Sequence, residues 1–187
     1  MERLPGEDGL VRRHLSGDPR AFDAIMRHYE PYVLGLLWRM AGERSAAEDL
    51  CQETFLKVLK GLPSFRGGSS LKTWIYRIAH NVWTDRLRAR DPEETGGEEH
   101  PAYRVAADPR TPLGRVEDAQ IRMALEAAMA DLPRAQREAL HLFYWDDLSV
   151  EEVAQALSVP EGTVKTLLFR GRRALREKVA LQLGGAP

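Results

Sequence analysis

The stretch SFRGGSSLKTWIYRIAHNVWTDRLRAR, Ser64 to Arg90, constrains the chain more than any other, because it joins a small polar loop to a helix that is both aromatic and basic. Gly67 and Gly68 free the loop backbone, and either Ser69 or Ser70 is placed to cap the helix that follows. Leu71, Trp74, Ile75, Ile78, Val82 and Trp83 recur at helical spacing and define a core face. The other positions carry Lys72, Arg77, His80, Asn81, Arg86, Arg88 and Arg90 with only Asp85 against them, so a positive outward face and a polyanionic partner are expected. Phe65, in the loop, offers an aromatic face beside that charge. Single-stranded nucleic acid is bound by this combination, each stacked base contributing roughly 1 to 3 kcal/mol whatever its identity. Trp74 and Trp83 suit a core role as well as a stacking role.

A chain of 187 residues is long enough for one ordinary domain or two small ones, and the charge pattern favours two. The net charge is only -1, so a case for nucleic acid rests on how charge is distributed. Arginines cluster in Ser64 to Arg90 and again in Lys165 to Lys178, with Asp91, Glu93, Glu94, Glu98 and Glu99 as an acidic run between them. The single cysteine, Cys51, excludes an intramolecular disulfide and leaves a cysteine-based metal cluster without ligands. No cofactor or metal site is expected. No apolar run approaches the roughly 20 residues of a membrane span, and MERLPGEDGL lacks a signal-peptide core, so a cytoplasmic protein without membrane insertion is expected.

An all-α chain is predicted. Asp8 to Leu15 forms a short helix, and Asp18 with Pro19 opens a longer one whose inner face is Phe22, Ile25, Tyr29, Val33, Leu36, Leu37 and Met40, kinked at Pro31. Ser45 is placed to cap a third helix with Leu50, Phe55, Val58, Leu59 and Leu62 inward and Gly61 as its stop. Its other face carries Glu48, Asp49, Gln52 and Glu53, which the helix dipole favours near an N-terminus. Asp91 to about Arg110, with its prolines, glycines and no periodicity, reads as a flexible linker, giving domains 1-90 and 118-187 about a linker 91-117.

Beyond it, Thr111 and Pro112 open a helix carrying Leu113, Val116, Met123, Leu125, Met129 and Leu132, and Pro133 separates this from a helix through Leu140, Phe143 and Tyr144, all read as core. Ser149 and Glu152 form a capping box for a short helix ending at Leu157, and a last helix begins near Glu161 or Gly162. Ala154 at the crossing, with Val159 and Val164 in the angle, makes the pair a helix-turn-helix. Its second helix presents Thr163, Lys165 and Thr166 to base edges in a major groove and Arg170, Arg172, Arg173, Arg176 and Lys178 near phosphates.

The run FRGGSSLKTWIYRIAHN resembles the promoter-melting segment of bacterial sigma factors of the extracytoplasmic-function group, in the sigma-70 family. AEDLCQETFLKV is similar to that family's segment for docking on the clamp coiled coil of RNA polymerase, and LSVEEVAQALSVPEGTVKTLLFRGRRALR to its domain for the minus 35 element. The resemblance implies polymerase binding by Asp49, Gln52 and Glu53. It implies that Phe65, Arg66, Ser69, Lys72, Trp74, Arg77 and Asn81 bind the non-template strand near minus 10, with one base flipped into a pocket. It implies minus 35 contacts from Thr163, Lys165, Thr166, Arg170 and Arg173. Its implied partners are core RNA polymerase, through clamp and flap, promoter DNA, and a dedicated anti-sigma factor. Three positions depart from the family pattern: Cys51 replaces an aliphatic residue, Leu167 follows Thr166 where arginine is frequent, and Gly171 stands where alanine is usual.

Opening about a dozen base pairs costs on the order of 17 kcal/mol at roughly 1.4 kcal/mol per step, more than one flipped base and a few stacks return. A chain like this is therefore expected to work as part of RNA polymerase, as an alternative sigma factor directing transcription initiation. The rival reading is a helix-turn-helix regulator acting on duplex DNA alone, which leaves the aromatic loop unexplained. An enzyme is not expected: there is no phosphate loop or HExxH pair, and His14, His28, His80, His100 and His141 are scattered.

Overall fold

A computed structural model describes residues 4–90 and 119–183. The expected linker, and the expected helix start at Thr111 and Pro112 with Leu113 and Val116, lie outside the described residues. The chain divides into two compact units, Met1–Gly96 and Gly97–Pro187. All regular structure among the described residues is helical. None of the described helices is long and apolar enough to cross a membrane.

In the first unit, α1 (Glu7–Leu15) starts after Gly6, whose φ of 73° is a left-handed conformation that a glycine adopts without a Cβ penalty. Glu7 is buried and accepts a hydrogen bond of 2.8 Å from the Tyr29 hydroxyl, fastening α1 to α2 (Pro19–Ala41). Asp18 caps α2 as expected, accepting from the Arg20 N–H at 3.0 Å. The Arg13 guanidinium, 2.6 Å from the same carboxylate, holds the Asp18 carboxyl below its ordinary pKa. The α2 helix runs without interruption through Pro31. Pro31 and Arg27, whose carbonyl loses its donor, are both exposed, so the missing bond falls on the solvent side of the helix, where it is least costly.

Gly42, with φ 71°, closes α2, and only Glu43 separates it from α3 (Arg44–Gly61). That tight link places Ser45 inside the first turn of α3, not at its cap, and Glu43 at the cap position makes no side-chain bond. The inward stripe is Ala47, Leu50, Cys51, Thr54, Phe55, Val58 and Leu62, whose centre leaves Leu59 at its edge and 38% exposed rather than inward. The Thr54 hydroxyl is satisfied by the Leu50 carbonyl at 2.7 Å. A short 3-10 turn (Leu62–Ser64) leads to the loop before α4 (Leu71–Arg90). Because α4 packs on both α2 and α3, its buried arc is wider than one stripe and includes Lys72, Thr73, Tyr76 and Ala79 with Leu71, Ile75, Val82 and Trp83. Lys72, expected on the outward face, is therefore turned in, with 6% exposure.

In the second unit, α5 (Ala119–Ala130) faces inward through Ala124 and Ala128, small residues that let it approach α8, and through Met129, a large side chain fully buried in the core. Met123, one position off that line, is 68% exposed instead of buried. Arg137 on α6 (Arg134–Tyr144) is buried and donates to the Ala130 carbonyl at 2.7 Å, satisfying an orphan acceptor at the end of α5. Leu140 is core, whereas Phe143 is half-buried and Tyr144 exposed, because the inner face of α6 ends with Leu142 before the turn at Trp145. The Ser149–Glu152 capping box forms in both directions, at 3.2 and 2.9 Å, and starts α7 (Val150–Leu157). Ser158, left-handed at φ 57°, turns the chain toward α8 (Glu161–Gln182), which buries Val164, Leu168 and Gly171.

Burial, with the Glu30 charge adding to it, pushes the Cys51 thiol from 9.0 up to about 12. The folded protein then keeps a proton that the unfolded chain loses, so this contribution to stability is complete below about pH 9 and is lost as pH rises toward 12. At about pH 8 a disulfide reagent such as Ellman's is expected to leave native protein unmodified and to titrate one thiol in denaturant. Prompt labelling of the native protein would show that Cys51 is accessible and the packing role wrong.

Candidate functional site

Three exposed surfaces coincide with the residues singled out in the sequence. The first is on α3, where Asp49, Gln52 and Glu53 share one outward face. Glu53 pairs with Lys57 at 3.0 Å, and Lys57 also reaches Asp85 on α4 at 3.8 Å. Leu56, 57% exposed, and Leu59 flank this acidic and amide-bearing patch. Sequence reading missed both as surface residues. The signal was present in the stripe Leu50, Thr54, Val58, Leu62, which repeats every four residues and excludes them.

The second surface is the loop and α4. The Ser64 hydroxyl donates to the Gly61 carbonyl at 2.7 Å and the Phe65 N–H to the Leu62 carbonyl at 3.1 Å, which fixes the start of the loop. Gly67, with φ 72°, supplies the left-handed turn within it. Of the two candidate serines it is Ser70 that caps α4, accepting from the Thr73 N–H at 3.1 Å, while half-buried Ser69 donates to the Ser70 carbonyl at 3.3 Å. The ring of Phe65 sits 5.2 Å from that of Trp74, tilted by 47°. Trp74 in turn lies over the end of α3, so close that a Cβ on Gly61 would stand 3.1 Å from the indole.

Trp74, Arg77 and Asn81 are spaced by three and four residues and share a face of α4, with Arg77 and Asn81 exposed. Arg66 is exposed on the loop, its guanidinium donating to the Pro63 carbonyl at 2.9 Å. The fold thus brings Phe65, Trp74, Arg77 and Asn81 to one side, with Arg66 beside them. Lys72 belongs to the inward arc of the same helix.

The third surface is the outer side of α8, where Thr163, Lys165, Thr166, Arg170 and Arg173 are all exposed. Thr163, Thr166, Arg170 and Arg173 lie in one line along it. The Thr166 hydroxyl donates back to the Gly162 carbonyl at 2.9 Å. Two cations carry an acid of their own: Lys165 pairs with Glu161 at 3.4 Å and Arg173 with Glu177 at 2.8 Å, a bond that raises the Arg173 pKa. Phe169, absent from the expected contacts, is exposed beside Lys165, since Leu168 holds the inward place. No cluster of side chains able to hold a metal ion occurs among the described residues.

Comparison with known proteins identifies the family of both units. Residues 25–93 match the family described as Sigma-70 region 2, and residues 122–175 that described as Sigma-70, region 4. The chain is 34% identical over 176 residues to the ECF RNA polymerase sigma factor SigW of Bacillus subtilis, covering 90% of this chain and 94% of the relative. It is 35% identical over 173 residues to the RNA polymerase sigma-H factor of Pseudomonas aeruginosa, covering 89% and 90%. Its fold is similar to that of the sigma factor RpoE solved with the anti-sigma factor NepR from Bartonella quintana, with a TM-score of 0.67 and 24% identity, over 84% of this chain and 96% of that one. A TM-score of 0.66 at 21% identity, over 97% and 99%, relates it to CnrH solved with the cytosolic domain of CnrY. Matches to both sigma-70 regions, with relatives above 30% identity along nearly the whole length, make this chain a member of the extracytoplasmic-function group of sigma factors.

Proposed function

We propose that this sigma factor binds core RNA polymerase through Asp49, Gln52 and Glu53, reads the minus 35 duplex with α8, and melts the promoter near minus 10 with the loop and α4. The observation that carries the reading is the Phe65 ring held against Trp74 beside the exposed Arg77 and Asn81. A regulator confined to duplex DNA has no use for it. Residues 1-90 then dock and melt, 118-187 read the upstream element, and 91-117 join them. Core polymerase, through its clamp and flap, and promoter DNA are the working partners. A dedicated anti-sigma factor covering these faces, and a cytoplasmic site of action, complete the proposal. Specific transcription from a linear promoter by core polymerase plus this protein alone tests it, because a regulator leaves core polymerase without specific initiation.

The α3 face yields a direct prediction. Asp49→Arg or Glu53→Arg should abolish capture of core polymerase while changing stability by no more than about 0.5 kcal/mol, as is usual for exposed helix charges. Normal capture by either variant in a pull-down removes the docking assignment.

On α8, Arg173→Ala should weaken binding to every duplex and lower the salt slope by about 0.9, the loss of one phosphate contact. Lys165→Ala should instead relax preference at one base of the upstream element, measured across a randomised minus 35 library. An unchanged profile rejects the base-reading role.

For the downstream element, Phe65 supplies a stacking face and Asn81 both a donor and an acceptor for an exposed base edge. Asn81→Ala should leave polymerase binding intact but impair open-complex formation and blur discrimination at one downstream base. Phe65→Ala should lose roughly 1 to 3 kcal/mol of single-strand affinity without that loss of preference. Pre-melted templates decide the matter: variants that keep strand affinity and base preference there, and lose only thermal stability, mark both residues as structural.

A further inference from the structure

Gly171 occupies the third position of the buried line Val164, Leu168, Gly171 on α8, on the face of the helix that side chains use to fill the core. A glycine in mid-helix costs about 1 kcal/mol relative to alanine, so its presence calls for a compensating contact. That contact is with α6. A Cβ built on Gly171 would stand 2.8 Å from Leu140 Cδ1, 3.2 Å from Leu140 Cγ and 3.5 Å from Gln136 Cβ. Leu140 is 1% exposed and enclosed in the core, so it has little room to retreat. The side-chain polar ties between α8 and its neighbours lie at the surface: Arg172 to the Tyr144 hydroxyl at 3.4 Å, and Lys178 to Asp131 at 2.9 Å.

We propose that Gly171 is a positioning residue for promoter recognition: its missing side chain lets α6 and α8 meet at the Leu140 contact, and this contact sets the direction in which α8 presents its first turns to the duplex. The inference rests on the reading of α8 as the minus 35 helix. An added methyl group has to open the contact by about 1 Å to reach ordinary carbon–carbon separation. Gly171 lies roughly 8 to 12 Å along the axis from Thr163, Lys165 and Thr166, at the usual rise per residue. Displacing α8 at Gly171 tilts the helix axis and so changes the direction from which those side chains meet the bases. Base-edge hydrogen bonds tolerate little such movement, whereas contacts to phosphates through long arginines tolerate more. Discrimination is therefore lost before affinity.

The test uses full-length protein and a randomised minus 35 duplex library, with thermal melting alongside. Gly171→Ala should reduce the ratio of preferred to scrambled duplex binding by about tenfold, the scale of one lost base contact, with a smaller change in binding to scrambled duplex. Gly171→Ala combined with Leu140→Val, which removes the δ carbons, should recover most of the lost discrimination. Lys165→Ala serves as the reference for base reading. If it alters the preference profile while Gly171→Ala does not, or if the double variant fails to recover, the positioning role is wrong and the reading of α8 stands. If Lys165→Ala and Gly171→Ala both leave the profile unchanged, α8 is not the reading helix and the inference falls with that assignment. A Gly171→Ala protein that melts lower yet keeps its discrimination shows a role in packing alone.

Discussion

The indole of Trp74 is the contact on which the first unit's functional surfaces depend. It lies against the α-carbon of Gly61 at the end of α3 and against the ring of Phe65 in the loop, while its own backbone belongs to the first turn of α4. Any side chain at Gly61 would press on the ring, so the end of one helix, the loop and the start of the next are held as one body. The acidic face of α3 and the basic face of α4 inherit a fixed relation from it. Trp74 is thus neither simply core nor simply a stacking platform. Its burial on one side is what makes Phe65 a firm surface on the other.

What the sequence made legible was chemistry whose partners lie within a few residues. Asp18 before Pro19, Ser149 before Glu152, and the alternation of periodic runs with prolines and glycines all identify helix starts, and the structure realises each of those caps. The helix-turn-helix was visible for the same reason. Burial was less legible, because it depends on how many neighbours a helix has. Two neighbours on α4 bury Lys72 and Tyr76, and the alanine face of α5 leaves Met123 outside. Ser45 lost the cap position because Gly42 had already turned the chain. The candidate surfaces themselves were legible through resemblance more than through pattern, since exposed acidic and basic faces occur on many solvated helices.

Buried polar groups in both units act as fasteners between elements distant in sequence. Glu7 and Tyr29 join α1 to α2, and Arg137 closes the end of α5 from α6. Neither was foreseen, as a carboxylate or guanidinium in a helical run normally faces water. Loss of one partner removes a bond from a desolvated polar group, which costs more than the bond contributes. Such pairs tolerate few substitutions despite lying away from the surfaces assigned to polymerase and DNA.

Two of the outward-facing cations of α8, Lys165 and Arg173, are accompanied by Glu161 and Glu177, each one helical turn from its partner. In the proposed reading these acids are tethered counterions. A phosphate approaching Arg173 has to compete with a carboxylate that cannot diffuse away, so attraction to DNA of any sequence is weakened uniformly. The base-edge contacts proposed for Thr163 and Thr166 carry no such counterion. In a genome, where non-matching sites outnumber matching ones by many orders of magnitude, the quantity that matters is the ratio between the two affinities. A recognition helix that lowers its own general attraction to the polymer spends less of its time on the wrong sites, and a chain with a net charge of -1 can remain a selective reader of a polyanion.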